Sequence, residues 1–210
     1  MKTLIAIPSM DQVPARFAQS LAMLQKEGDC AVTFQIGSLV YMSRDSLAQQ
    51  AIQMGADRIL WLDSDMVFSP DVLSCLSRTM EETKADMVTG VYFRRVEPFT
   101  PVLYEKLEMK DGKVNYKDWC DLPKEDVFEV AGCGFGCVLM NTDVALSILA
   151  KFHEMFLPFD GMGEDLAFCW RARQCGYKIV CNQTLPLGHV GYNVVTRGFY
   201  NVYQKNKGRV

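Results

Sequence analysis

Residues 58–70 read RILWLDSDMVFSP. The run from Arg58 to Leu62 is apolar after its first residue, has the length of a strand and is followed by turn-forming residues, so it reads as a buried β-strand. It ends in two aspartates, Asp63 and Asp65, with Ser64 between them. In an extended segment residues i and i+2 point to the same side, so the spacing predicts both carboxylates facing one place at the carboxyl end of the strand. Open α/β sheets bind their ligands there. Two close carboxylates disfavour each other's ionisation unless a cation neutralises them, and a hard divalent ion with oxygen ligands suits the purpose. The competing reading is that the aspartates cap the next helix. Ser69-Pro70-Asp71 already supplies that start, several residues further on.

The same alternation continues outward from this strand. TLIAI (3–7) reads as a strand. PARFAQSLAMLQKEG (14–28) reads as a helix, with Pro14 in its first turn, Phe17, Leu21 and Leu24 on one stripe and Gly28 as the stop. AVTFQI (31–36) is a second strand. SRDSLAQQAIQMG (43–55) is a second helix with Ser43 as N-cap, Leu47, Ala48, Ala51 and Ile52 inward and Gly55 as terminator. A third helix follows Pro70, and DMVTGVYF (86–93) is a fourth strand. Four strands alternating with three helices predict an α/β chain with a Rossmann-like, mostly parallel sheet flanked by helices. Beyond residue 95 the pattern turns irregular. KLEMKDGKVNY (106–116) carries an Asp-Gly turn between strand-like runs and predicts a hairpin. FEVAGCGFGCVLM (128–140) reads as a strand with a glycine-rich bend. TDVALSILAKF (142–152) is a helix capped by Thr142, GEDLAFCWRARQCG (163–176) is another, and YKIVCN (177–182) is a late strand. The second half thus predicts a smaller mixed or antiparallel region. The tail after about residue 190 shows little periodicity.

The 210 residues suit one medium-sized domain. A net charge of -3 offers no basic field for nucleic acid or anionic lipid. The opening MKTLIAIPSM is too short for a signal-peptide core, and no segment approaches the roughly 18 apolar residues of a membrane span. The expectation is a soluble, cytoplasmic protein. None of the eight cysteines forms CxxC, so they read as buried free thiols rather than zinc ligands or a disulfide framework.

Three further stretches carry candidate chemistry. Glu164 and Asp165 open a helix after the flexible GMG. They are either ordinary helix-dipole acids or a general base and substrate anchor. His189, between glycines in PLGHVG, can complete a metal site begun by Asp65; the alternative is a structural histidine. AGCGFGCVLM (131–140) is not GxGxxG and runs into a strand, so the dinucleotide fingerprint fails. Its glycines allow close approach of a substrate to the backbone, or relieve a tight bend.

Taken together, LIAIPS (4–9), SRDSLAQQAIQMGADRILWLDSDM (43–66), GCGFGCVLM (132–140), GEDLAFCWRARQCGYKI (163–179) and HVG (189–191) resemble, in order and spacing, the GT-A-fold glycosyltransferases. The sequence also resembles the N-terminal domains of chlorella-virus glycosyltransferases that act on capsid glycans. The resemblance implies a GT-A fold and a metal-dependent transfer of a sugar from a UDP-sugar donor to a glycan acceptor, that of a viral capsid glycoprotein included. Asp65 would bind Mn²⁺ or Mg²⁺, with His189 as a further ligand and Asp63 as a third candidate ligand. Asp63, with Ser64 and Asp65, would face the donor sugar or ribose. Arg44 would lie near the donor, and Pro8 and Ser9 would line the base and ribose pocket. Glu164 and Asp165 would be the acceptor-side acids. Stereochemistry stays open: the acidic pair fits an inverting base, while the viral resemblance leans to retention. The implied organisation is a nucleotide-sugar half (1–95), an acceptor and catalytic half (96–190) and a tail (191–210), all forming one domain of a longer polypeptide in the viral case. Arg197, Lys205 and Lys207 make the tail a candidate lid over the diphosphate, against the plainer reading of a frayed terminus. Two other classes compete. A sugar-phosphate nucleotidyltransferase would need a basic, glycine-rich loop that IPSMDQVPARF (7–17) lacks. A binding module without catalysis would not need the full set Asp63, Asp65, Asp165 and His189.

Overall fold

The structure, a computed structural model, describes residues 1–110, 113–191 and 194–206. Its first part runs β1 (Lys2–Ser9), α1 (Ala15–Met23), β2 (Asp29–Ile36), α2 (Val40–Gln53), β3 (Arg58–Leu62), β4 (Met66–Val67), α3 (Val72–Thr83) and β5 (Met87–Gly90). Its second part runs β6 (Leu103–Lys110), β7 (Lys113–Asp118), β8 (Val127–Glu129), β9 (Gly132–Cys133), β10 (Cys137–Asn141), α4 (Thr142–Phe152), α5 (Glu164–Gln174), β11 (Ile179–Asn182), β12 (Gly188–Val190), β13 (Val194–Val195) and α6 (Arg197–Asn206).

The central sheet has seven strands in the order β2-β1-β3-β10-β5-β11-β8. The neighbours β1–β2, β1–β3 and β5–β11 are parallel. β10 lies antiparallel between β3 and β5, and β8 is antiparallel at the edge. The predicted fourth strand, β5, is therefore not the neighbour of β3. A strand from the second half fills that place, because Cys137–Met140 is buried on both faces and needs ladder partners on both edges.

Side chains alternate across this sheet with period two. Leu4, Ala6, Ile59, Trp61, Val138 and Met140 pack on the face covered by α2, α4 and α5. Ile5, Ile7, Leu60, Leu62, Cys137 and Leu139 pack on the face covered by α1 and α3. Both halves of the chain thus contribute to each of the two packed layers. Two small sheets stand beside it, β7-β6-β9 and β13-β12-β4. β6 and β7 pair antiparallel as the hairpin reading requires; the Asp111-Gly112 turn itself lies outside the described residues.

Several helix ends differ from expectation. α2 begins at Val40 with Leu39 at the N-cap, and Ser43 lies inside it, its amide donating to the Leu39 carbonyl at 3.0 Å. Apolar Leu39 offers no capping side chain, so sequence alone points to the next serine. Thr142 is likewise the first helical residue of α4, with Asn141 at the cap. α1 ends at Met23, before Gly28, whose positive φ serves the turn into β2. Residues 197–206, aperiodic to sequence reading, form α6 around one buried residue, Tyr200, which stacks on Phe93 at 4.8 Å. Among the described residues no helix is long and apolar enough to cross a membrane.

Candidate active site

The site begins where β3 stops. The Asp63 amide donates to the Gly136 carbonyl at 3.0 Å, and the Asp63 carbonyl accepts from the Met66 amide at 3.1 Å. That second bond closes a turn over Asp63-Ser64-Asp65, so the rule for extended chain does not hold here. Both aspartates line one cleft but reach different partners. Asp63 Oδ1 accepts from Arg44 Nη2 at 2.9 Å. Asp65 Oδ2 accepts from Arg95 Nη1 at 2.9 Å and stands 3.3 Å from His189 Nε2. The mutual repulsion anticipated for the pair is relieved by a separate cationic partner for each.

Arg44 is 2% exposed, on the inner face of α2. Its guanidinium lies 5.2 Å over the Phe135 ring, and its Nε is 3.6 Å from Glu164 Oε1. Burial alone would weaken its hold on the proton, but the charges of Asp63, Glu164 and Asp165 outweigh that and raise its pKa. Phe135 is itself braced edge-on by Trp61, Phe156 and Phe168 at 5.8, 5.1 and 5.1 Å. The cation therefore stands on a rigid aromatic floor.

β4 and β12 bring His189 to Asp65. They pair antiparallel with His189 opposite Met66, and the Val190 amide donates to the Asp65 carbonyl at 2.8 Å. His189 Nδ1 lies 2.9 Å from the Phe93 carbonyl oxygen. A carbonyl only accepts, so Nδ1 carries the proton, and in the neutral ring Nε2 presents a lone pair to Asp65. Two acceptors 3.3 Å apart require a positive centre, either a second ring proton or a metal. Ligands sharing a small divalent cation at about 2.1 Å stand roughly 3 Å apart, so this donor pair fits one. Burial works to raise the Asp65 pKa, but His189 and Arg95 overcome it and hold the carboxyl below the usual range. Among the described residues no group of three or more His, Cys, Asp or Glu gathers as a metal cluster. The remaining ligands of an ion at Asp65 and His189 would have to come from a bound molecule or water.

Glu164 and Asp165 start α5 behind Gly163. Glu164 reaches the cleft beside Arg44. Asp165 is not among the cleft-lining residues; its Oδ1 accepts from the Leu166 amide at 2.7 Å. Burial first, and the neighbouring Glu164 charge second, push its pKa up to about 6. The cleft measures about 270 Å³ and also takes in Pro8 and Ser9 from the end of β1 and Ser64 from the turn. With every group ionised, Asp63, Asp65, Glu164 and Asp165 outnumber Arg44 and Arg95 by two charges, a locale suited to a divalent cation.

The glycines of GCGFGC serve neighbouring side chains, not an open approach. A Cβ at Gly134 would stand 2.1 Å from the Tyr92 hydroxyl oxygen, and one at Gly136 would stand 2.7 Å from Tyr92 Cζ. Tyr92, buried, accepts from the Gly136 amide at 3.2 Å and meets the His189 ring edge-on at 5.4 Å. It thus supports both Asp63, through Gly136, and His189. Sequence reasoning singled out neither Tyr92 nor Arg95. The available signal was their place just beyond β5, at the carboxyl ends of the parallel strands. Arg197, expected near the diphosphate, donates instead to the Gln183 carbonyl at 2.7 Å and to its side chain. Lys205 lies in the last turn of α6, and Lys207 lies outside the described residues.

No family model and no curated protein matches the chain. Solved structures do share its architecture. A197 from STIV superposes with a TM-score of 0.63 at 20% identity, over 93% of this chain and 94% of that one. GalNAc-T7, crystallised with UDP, GalNAc and Mn²⁺, superposes with a TM-score of 0.61 at 10% identity, over 90% of this chain and 44% of that one. The likeness at these identities is one of fold: the chain has a GT-A-like α/β fold.

Proposed function

We propose that this chain is a metal-dependent glycosyltransferase that moves a sugar from a UDP-sugar to a glycan acceptor. The observation that carries the reading is the 3.3 Å approach of His189 Nε2 to Asp65 Oδ2, where Asp65 lines a cleft at the carboxyl ends of parallel strands. The GT-A-like fold and the bound UDP and Mn²⁺ of GalNAc-T7 support it.

Asp65 and His189 would hold Mn²⁺ or Mg²⁺, which supplies Lewis-acid stabilisation of a departing diphosphate. Pro8 and Ser9 line the nucleoside end of the cleft. Asp63, fixed by Arg44, presents its free oxygen to the donor ribose or sugar. Carboxylates here also stabilise positive charge developing at the sugar carbon. Arg44 pairs with both Asp63 and Glu164 and so holds the two side chains in place. Glu164 orients the acceptor, and Asp165, with its pKa near 6, is the base we assign to the acceptor hydroxyl. That assignment entails inversion, so the anomeric configuration of the product, read by NMR, tests it directly.

The decisive binding experiment is thermal. UDP with Mn²⁺ should raise the melting temperature, EDTA should remove most of the gain, and Asp65→Ala should abolish it. A gain indifferent to EDTA sinks the metal assignment. Transfer from UDP-sugars to glycan acceptors, followed by release of UDP, then tests catalysis itself.

A further inference from the structure

We infer that Arg95 is a second cation of the donor site: it holds Asp65 while no metal is bound, and turns to the donor diphosphate once a divalent cation takes Asp65 and His189. This rests on the glycosyltransferase reading above and goes beyond it in assigning a phosphate contact and a competition. Arg95 and His189 converge on one atom, Asp65 Oδ2, at 2.9 and 3.3 Å. A metal bound there has to displace the guanidinium, since Oδ2 cannot face both cations at bonding distance without their repelling each other.

The surroundings let the side chain move while its base stays fixed. Arg95 lies on the segment between β5 and β6, tied to itself by Arg94 N to Thr100 O at 3.0 Å and Phe99 N to Val96 O at 2.9 Å. Phe99 packs edge-on against Phe199 and Tyr203 of α6, at 6.1 and 5.7 Å. The tail therefore braces the segment that carries Arg95. The arginine stem lies flat over Gly191, where an added Cβ would be 3.1 Å from Arg95 Cδ. Its side chain remains 49% exposed, and among the described residues its other hydrogen-bond anchor is the Val190 carbonyl at 3.2 Å. A half-exposed ion pair is weak and exchangeable. A freed guanidinium, with its planar fork of donors, matches phosphate oxygens.

The test measures two affinities of the full chain and its Arg95→Gln and Arg95→Lys variants. Mn²⁺ alone is titrated by loss of the free-ion EPR signal, and UDP is titrated at saturating Mn²⁺ by calorimetry. With the competitor gone, Arg95→Gln should bind Mn²⁺ alone about threefold more tightly. With the phosphate contact gone, it should bind UDP about tenfold less tightly. Arg95→Lys, which keeps the charge, should fall between wild type and Arg95→Gln for UDP. Opposite signs in one variant are not what a merely structural ion pair gives. If Arg95→Gln leaves both affinities unchanged, or weakens both, the inference fails while wild-type binding of UDP with Mn²⁺ keeps the glycosyltransferase reading. If wild type binds neither Mn²⁺ nor UDP, both fall.

Discussion

Replacing Asp165 by asparagine is expected to stabilise the protein at neutral pH while removing activity. Burial and Glu164 raise this carboxyl from 3.8 to about 6, so the folded protein binds its proton more tightly than the unfolded chain does. Stability from this group is full below pH 4 and is lost as the pH rises to about 6. A difference of about 2 pH units corresponds to about 3 kcal/mol, and the partial exposure of the residue reduces that to about 1–2 kcal/mol. Asparagine keeps the acceptor for the Leu166 amide, now 2.7 Å from Oδ1, and carries no charge to bury. Urea unfolding at pH 7.5 should therefore show a gain of about 1–2 kcal/mol for Asp165→Asn, roughly 2–8 °C in melting temperature for a chain of this size. At pH 4 the two proteins should agree more closely. Equal or lower stability of Asp165→Asn at pH 7.5, or a gain of the same size at both pH values, would refute the reasoning. Such a gain coupled to lost activity is the usual mark of a strained functional residue.

Arg44→Met leaves Asp63 and Glu164 facing each other without their counter-ion, so urea unfolding should register a loss of about 3–5 kcal/mol; a loss under 1 kcal/mol would mean the acids relax into water. Gly134→Ala places a methyl 2.1 Å from the Tyr92 hydroxyl and should cost about 2–3 kcal/mol. Adding Tyr92→Phe should recover part of that, and a double-mutant cycle that comes out additive would break the link. Arg171 donates to the Met155 and Leu157 carbonyls, both at 2.9 Å, and to Glu154 at 2.6 Å. Arg171→Met should therefore destabilise by about 2–4 kcal/mol and open residues 157–163 to limited proteolysis, and unaltered digestion kinetics would argue against that role.

Much of the frame was legible because periodicity is local. The runs TLIAI and RILWL are each apolar after their first residue, and the sheet buries both their faces. The Gly55 and Gly176 stops lie where φ is positive, at +64° and +88°. Misreadings fall where a local rule has several solutions. Leu39 starts a helix without a capping side chain. The Asp63–Asp65 segment is a turn because one carbonyl finds the Met66 amide. The glycines of GCGFGC answer to a tyrosine from the segment just beyond β5, which no reading of their own neighbourhood reveals.

Sequence by itself determined the α/β alternation, the acids at the end of β3 and the acids at the head of α5, since each follows from side-chain type and spacing within a dozen residues. Only the tertiary structure decided which groups meet. The antiparallel entry of β10, the β4–β12 register that sets His189 beside Asp65, and the grip of Arg95 on that same oxygen all join segments far apart in the chain. Their partners are chosen by backbone hydrogen bonding and by the burial of whole strands, and neither leaves a periodic trace at the residues that make the contact.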